Sequence, residues 1–149
     1  MMDIESLLKM WSEDSKIDEI NLDKTSVAGA ALHSKYLEIY SLAKLRLKKK
    51  ELSMAILKKD KWLYYNGKMS KEEMDNRGWP YDPFDGMTKP LKSDMDMFYQ
   101  TDPEISHMQL QIDCQLSIVD ACKEILDTIR WRSSTIKNII EFKKFQAGI

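Results

Sequence analysis

The side chains with the clearest chemical capacity in this sequence are cations. Lys44, Arg46, Lys48, Lys49, Lys50, Lys58, Lys59 and Lys61 crowd into residues 44–61, opposed only by Glu51 and Asp60. The local net charge is +6 in a chain whose formal charge is −1. Trp62, Leu63, Tyr64 and Tyr65 follow at once. Ammonium and guanidinium groups neutralise phosphates without reading bases, and such binding weakens with salt. Aromatic faces beside them can stack single-stranded bases. The pattern points to a polyanion, nucleic acid first. Charge alone does not separate DNA from RNA. Two blander readings stay open. The lysines also suit a solvated helical surface, and Trp62, Tyr64 and Tyr65 also suit a helix end anchored in the core.

These residues need a long helix to carry them. Asp23 or Thr25 can cap it, since either side chain accepts the free N–H groups of a first turn. From there to Tyr65 there is no proline and one glycine, Gly29. Leu32, Tyr36, Ile39, Ala43, Leu47, Met54 and Leu57 fall near one face. Asn66-Gly67 ends the helix, because both tolerate the left-handed conformation. Some forty residues of helix span about 60 Å, more than one small domain can cover alone. A second long helix is expected over 103–147. Thr101-Asp102-Pro103-Glu104 is its start signal, and Gly148 closes it. Its apolar residues keep a seven-residue beat: Ile105, Ile112, Val119, Leu126 and Ile140, with Met108, Cys122, Ile129 and Ile136 beside them. Leu116, Ile118, Ile125 and Ile139 widen the stripe. An antiparallel pair, 24–65 against 103–147, is the simplest arrangement. One pair leaves faces uncovered, so a homo-oligomer follows.

Shorter pieces surround this pair. Ile4, Leu7, Leu8 and Trp11 give a short amphipathic helix over 3–13, followed by a connection at 14–22. Gly67, Gly78, Pro80, Pro83, Gly86 and Pro90 interrupt any helix in 67–90. Trp79, Tyr81 and Phe84 alternate with these turn formers in a structured arm, or in one ordered only by a partner. A short helix is expected over 91–99. The segments are thus 1–22, helix and linker; 23–66, the basic helix; 67–102, the arm; and 103–149, the C-terminal helix. The fold class is all-α, a long antiparallel helical hairpin with accessory helices.

Charge comes in blocks. Residues 1–23 carry −5, residues 70–127 carry −8, and residues 128–149 carry +4. The last block, Arg130, Arg132, Lys137, Lys143 and Lys144, suits a second polyanion site, the helix dipole or an acidic neighbour equally. Trp131, between two arginines, suits an interface or base stacking.

No catalytic constellation is visible. His33 and His107 stand apart from metal-ligand partners, Cys114 and Cys122 match no zinc pattern, and there is no Gly-rich phosphate loop. The acid clusters Glu72-Glu73-Asp75 and Asp94-Asp96 read as solvated. An enzyme, a cofactor and a metal are therefore not expected. On one helix the two cysteines would sit about 12 Å apart, too far to bridge, so free buried thiols in a reducing compartment are expected. No apolar run approaches ~20 residues, so no membrane span is expected. The acidic first segment argues against a signal peptide and for an intracellular protein.

Three stretches carry a family resemblance. They are Leu32-His33-Ser34-Lys35-Tyr36-Leu37, then Lys58-Lys59-Asp60-Lys61-Trp62-Leu63-Tyr64-Tyr65-Asn66-Gly67, then Ile136 through Gly148 with its Phe145-Gln146-Ala147-Gly148 ending. In this order they resemble the UvsY family, the recombination mediators of T4-like bacteriophages, over most of the chain. The resemblance implies a hexamer or heptamer ring that binds single-stranded DNA without catalysis. It implies recruitment of a phage RecA-like recombinase and displacement of the phage single-stranded-DNA-binding protein. It also implies the cytoplasm of the infected bacterial host and roles in recombination, DNA repair and recombination-dependent replication. The family's DNA-contact motif, Leu-Lys-Ala-Arg-Leu, places its Lys on Lys59 and its Arg on Lys61. Its leucines fall on Lys58 and Trp62, and its Ala on Asp60. Arg to Lys loses forked hydrogen bonding. The family's oligomerisation segment falls on about 129–145, which nominates Ile129, Ile136, Ile139, Ile140, Phe142 and Phe145. Residues 69–90 depart from the family pattern.

The rival reading is a helical scaffold that assembles with itself or with other proteins, as in a phage tail or capsid, without binding DNA. The basic stretch discriminates. A ring would multiply a weak phosphate-binding face through effective concentration.

Overall fold

A computed structural model describes residues 2–149. Among them the chain is all-α, with α1 (Ile4–Asp14), α2 (Leu22–Tyr65), α3 (Lys71–Arg77), α4 (Met95–Thr101) and α5 (Pro103–Gln146). It divides into two compact units. The first is Met1–Leu47 with Cys114–Ile149, and the second is Lys48–Asp113.

In the first unit, α1 opens on Asp3, whose side chain accepts the Ser6 N–H at 2.7 Å. Leu7 is fully buried among Tyr36 and Ala43 of α2 and Ile118, Val119, Cys122, Ile125, Leu126 and Ile129 of α5. Trp11 meets Tyr36 edge-on, with centroids 5.3 Å apart. The Tyr36 hydroxyl donates to Asp14 at 2.9 Å, and Lys35 reaches the same carboxylate oxygen at 2.6 Å. One polar side chain interrupts the apolar seam of α5. Gln115 is buried and donates to the Ala43 carbonyl at 3.1 Å, which marks a register between α2 and α5 in this unit.

The start of α2 lies earlier than its sequence suggests. Asp18 accepts the Ile20 and Asn21 N–H groups in the connection. Thr25 then falls inside the first turns, with its hydroxyl donating back to the Asn21 carbonyl at 3.0 Å. Neither Asp23 nor Thr25 is the cap.

In the second unit, α2 closes on Gly67 at φ 69°. The Lys68 N–H reaches the Leu63 carbonyl at 2.8 Å, and the Gly67 N–H reaches that of Tyr64 at 3.2 Å. This is the left-handed closure that Asn66-Gly67 predicts. The arm is not a plain loop, because α3 forms within it. Ser70 caps α3 by accepting the Glu73 N–H at 3.2 Å, and Gly78 at φ 69° ends it. Trp79 and Phe84 then fold back into a core of Met54, Leu57, Tyr64, Tyr65, Met69, Met95 and Ile105. The arm is ordered by its own chain. The short helix expected over 91–99 begins four residues later, at Met95.

Candidate nucleic-acid interface

The cations of 44–61 do not share one environment. Lys44 and Arg46 belong to the first unit. There Lys44 is exposed, with its ammonium 5.2 Å from the Tyr40 ring centroid, and Arg46 is half-buried. In the second unit Lys48, Lys49, Lys58 and Lys59 are exposed, and Lys50 is half-buried. Lys48 and Lys59 are close to three helical turns apart. They therefore share one line along α2, separated by about 16 Å. Leu52 and Ile56 project between these lysines and are themselves exposed. The outer face is cationic and apolar together.

Lys61 corrects the sequence reading. Its side chain is buried, with the ammonium 3.0 Å from Asp102 Oδ2 and 3.5 Å from Glu104 Oε1. The same ammonium lies 3.9 Å from the Trp79 ring centroid. The reason is angular. Residue 61 follows Leu57 by four and precedes Tyr64 by three, which puts it on the core side of α2. Its long apolar stem runs among aromatics while its head meets carboxylates. No phosphate can reach it in this conformation.

Tyr64 and Tyr65 are core residues as well. The Tyr64 hydroxyl donates to the Pro80 carbonyl at 2.6 Å, which ties the arm to α2. The Tyr65 hydroxyl donates to Asp102 Oδ2 at 2.7 Å. Burial raises both phenols above their ordinary value, and for Tyr65 the Asp102 hydrogen bond raises it further. Asp102 joins α2 to α5. Its Oδ1 accepts the Glu104 and Ile105 N–H groups and so caps α5, while its Oδ2 holds Tyr65 and Lys61. Asp60 pairs with Arg77 at 2.6 Å. The acid that interrupts the lysines is thus answered by a cation from α3.

Of the three aromatics only Trp62 reaches the surface, at 45% exposure. It lines a groove of about 690 Å³ with Lys58 from its own helix, Tyr99 and Gln100 from α4, and Gln109 from α5. Sequence reading missed the α4 and α5 members. Only tertiary packing brings them to Trp62, and no local signal marks them.

The nominated oligomerisation residues also separate. Ile129 and Ile136 are buried in the first unit. Ile139 is half-buried, and Ile140 sits at 36% exposure. Phe142 and Phe145 are 60% and 79% exposed, and Trp131 is exposed too. Two C-terminal cations serve the fold of this unit. Arg132 donates to the Ser15 and Lys16 carbonyls, and Lys143 to that of Glu19. Cys122 is buried, but Cys114 is exposed, contrary to the expectation of two buried thiols. Among the described residues no group of three His, Cys, Asp or Glu side chains is placed to hold a metal ion. Among the described residues no helix is long and apolar enough to cross a membrane.

Comparison with known proteins gives concordant results. Residues 10–149 match the family model for UvsY, described as a recombination, repair and ssDNA-binding protein. The recombination protein uvsY of Enterobacteria phage T4 is 24% identical over 147 residues, covering 99% of each chain. A crystal structure of the bacteriophage T4 recombination mediator protein UvsY superposes with a TM-score of 0.83 at 24% identity, covering 99% of each chain. A second crystal form of that protein gives 0.79 at 21% identity, covering 97% of this chain and 99% of that one. At such identities the structural likeness is one of fold.

Proposed function

This chain belongs to the UvsY family, and from that premise we propose that it is a recombination mediator that binds single-stranded DNA without reading its sequence. In this reading it works without catalysis. It helps load a RecA-like recombinase onto DNA covered by single-stranded-DNA-binding protein, in the cytoplasm of a phage-infected bacterium. It assembles with itself into a ring, a hexamer or heptamer.

The observation that carries the reading is the family match over residues 10–149. The exposed lysines of α2 in the second unit supply the chemistry. Lys48, Lys49, Lys58 and Lys59 contact phosphates, and the strand's counterions are released. Exposed Phe142 and Phe145 supply apolar area for self-association. Neighbouring copies then add their lysines to one strand by effective concentration.

Fluorescence anisotropy with a single-stranded oligonucleotide at low and high salt tests this. The wild type is expected to bind, and to weaken steeply with salt. Lys58→Ala with Lys59→Ala is expected to lose most binding while its assembly state, read by ultracentrifugation, is unchanged. A wild type that assembles yet binds no DNA at low salt would leave the scaffold reading. The exposed apolar Leu52 and Ile56 between the lysines favour that alternative.

A further inference from the structure

The groove beside Trp62 differs in chemistry from the lysine row next to it. A row of lysines contacts a backbone. This groove instead offers two aromatic side chains, Trp62 and Tyr99, and two amides, Gln100 and Gln109, with Lys58 on the wall supplied by α2. Asp96 also lines it, so a phosphate would meet a carboxylate there. A backbone is thus held at the lysines and disfavoured within the groove. A base carries no charge and has a flat face, and its edge donates and accepts hydrogen bonds. The amides can answer that edge, and the indole can stack on that face. The volume, about 690 Å³, lies within the range of small-molecule sites and holds a nucleobase with its sugar. Lys68 places its ammonium over one face of the Trp62 ring, 4.7 Å from the centroid, so a base takes the opposite face of the indole.

We propose that this groove is a nucleobase subsite, in which one unstacked base of the bound strand lies against Trp62 while its flanking phosphates sit on Lys58 and Lys59. The proposal rests on the single-stranded-DNA reading above and adds to it a contribution that depends on bases. Gln100 meets the base edge, and its amide rotates to present either a donor or an acceptor, so the site accepts different bases. Gln109 donates its Nε2 N–H to Asp113 at 2.9 Å, which leaves its carbonyl oxygen to accept from the base.

The test compares two oligonucleotides of equal length and charge, one with bases and one made of abasic residues, by anisotropy at fixed salt. The wild type is expected to bind the base-bearing strand at least about five-fold more tightly, the lower end of what one stacked base contributes. Trp62→Ala is expected to abolish most of that preference. Trp62→Phe, which keeps a ring, is expected to retain part of it, and this separates stacking from a general loss of fold. Equal, salt-sensitive binding of both strands would overturn the subsite and leave the lysine reading standing. Binding of neither strand would overturn both. Normal discrimination by Trp62→Ala together with loss of self-association would assign the groove to a second copy of the chain and overturn the subsite.

Discussion

Lys61 Nζ lies 3.0 Å from Asp102 Oδ2, and the two side chains are only 5% and 2% exposed. The pair joins the last turns of α2 to the residue that caps α5. A buried ion pair is weak evidence of net stabilisation, because desolvation offsets the Coulomb attraction. Removing one partner is a different matter, since it strands the other charge. Here Asp102 has a further hydroxyl and two backbone N–H groups to steady it. Lys61 has Glu104 as a second partner.

Lys61→Ala should therefore cost about 3–5 kcal/mol in stability, the range for breaking a buried pair. Lys59→Ala, two residues away and exposed, should stay within about 0.5 kcal/mol. Urea unfolding of the two variants decides. Similar midpoints would mean that Lys61 is not held as described.

The same pair gives the fold a dependence on pH. Burial alone would raise the Asp102 carboxyl. Hydrogen bonds from Tyr65, the Ile105 N–H and Lys61 outweigh it and hold the group below the ordinary aspartate value. A carboxyl with a lower value when folded contributes fully above its unfolded value, about 3.9. That contribution is lost as pH falls through the folded value. Asp102→Asn should be less stable than the wild type near neutral pH, and the gap should narrow below about pH 4. A gap that stays constant into that acid range would remove the linkage.

How much of this was legible in the sequence depended on whether the signal was local. Asp102-Pro103 and Asn66-Gly67 mark helix ends because capping is settled within a few residues, and both ends fall where those residues put them. The start of α2 escaped, because Asp18 orders the residues just before the helix and Thr25 lies inside it, donating back to the Asn21 carbonyl. Helix α3 escaped although Ser70 and Glu73 spell its cap. A seven-residue helix inside a short stretch bounded by Gly67 and Gly78 looks like a turn. Lys61 escaped for a deeper reason. A lysine in a run of lysines reads as surface, and the carboxylate that draws it inward comes from the next long helix. The groove at Trp62 is legible only after packing, since α4 and α5 supply part of it.

The arm's attachment can be checked at Trp79. Its indole is buried, its Nε1 donates to Glu104, and its ring packs 5.0 Å from that of Tyr64. Trp79→Ala should cost about 3–5 kcal/mol, as large aromatic truncations do. It should also make residues 78–90 cleavable by protease under native conditions. Tyr81→Ala removes an exposed ring and should leave both readouts near wild type. An arm that remains resistant to protease in Trp79→Ala would show that Phe84 and the Tyr64–Pro80 hydrogen bond suffice to hold it.

Counterion release gives the lysines a quantitative signature. Each exposed lysine that meets a phosphate should contribute about 0.7 to the slope of log affinity against log salt on a single strand. Lys48→Ala, Lys49→Ala, Lys58→Ala and Lys59→Ala should each lower the slope by about that amount. A variant that weakens binding at every salt concentration with an unchanged slope acts by some route other than a phosphate contact.

The two classes of apolar residue near the end of α5 should respond oppositely to truncation. Ile129 and Ile136 are sealed in the first unit at 7% and 3% exposure, so their methyl groups already have intrachain neighbours. Ile136→Ala should cost about 2–5 kcal/mol of folding stability. Phe145, at 79% exposure, has little within the chain to lose. Phe145→Ser combined with Phe142→Ser should leave the unfolding midpoint almost unmoved yet lower the sedimentation coefficient, because those rings are free to meet another copy. Unchanged sedimentation would move the self-association surface away from this end of α5, and exposed Leu52 and Ile56 on α2 would be the next residues to truncate.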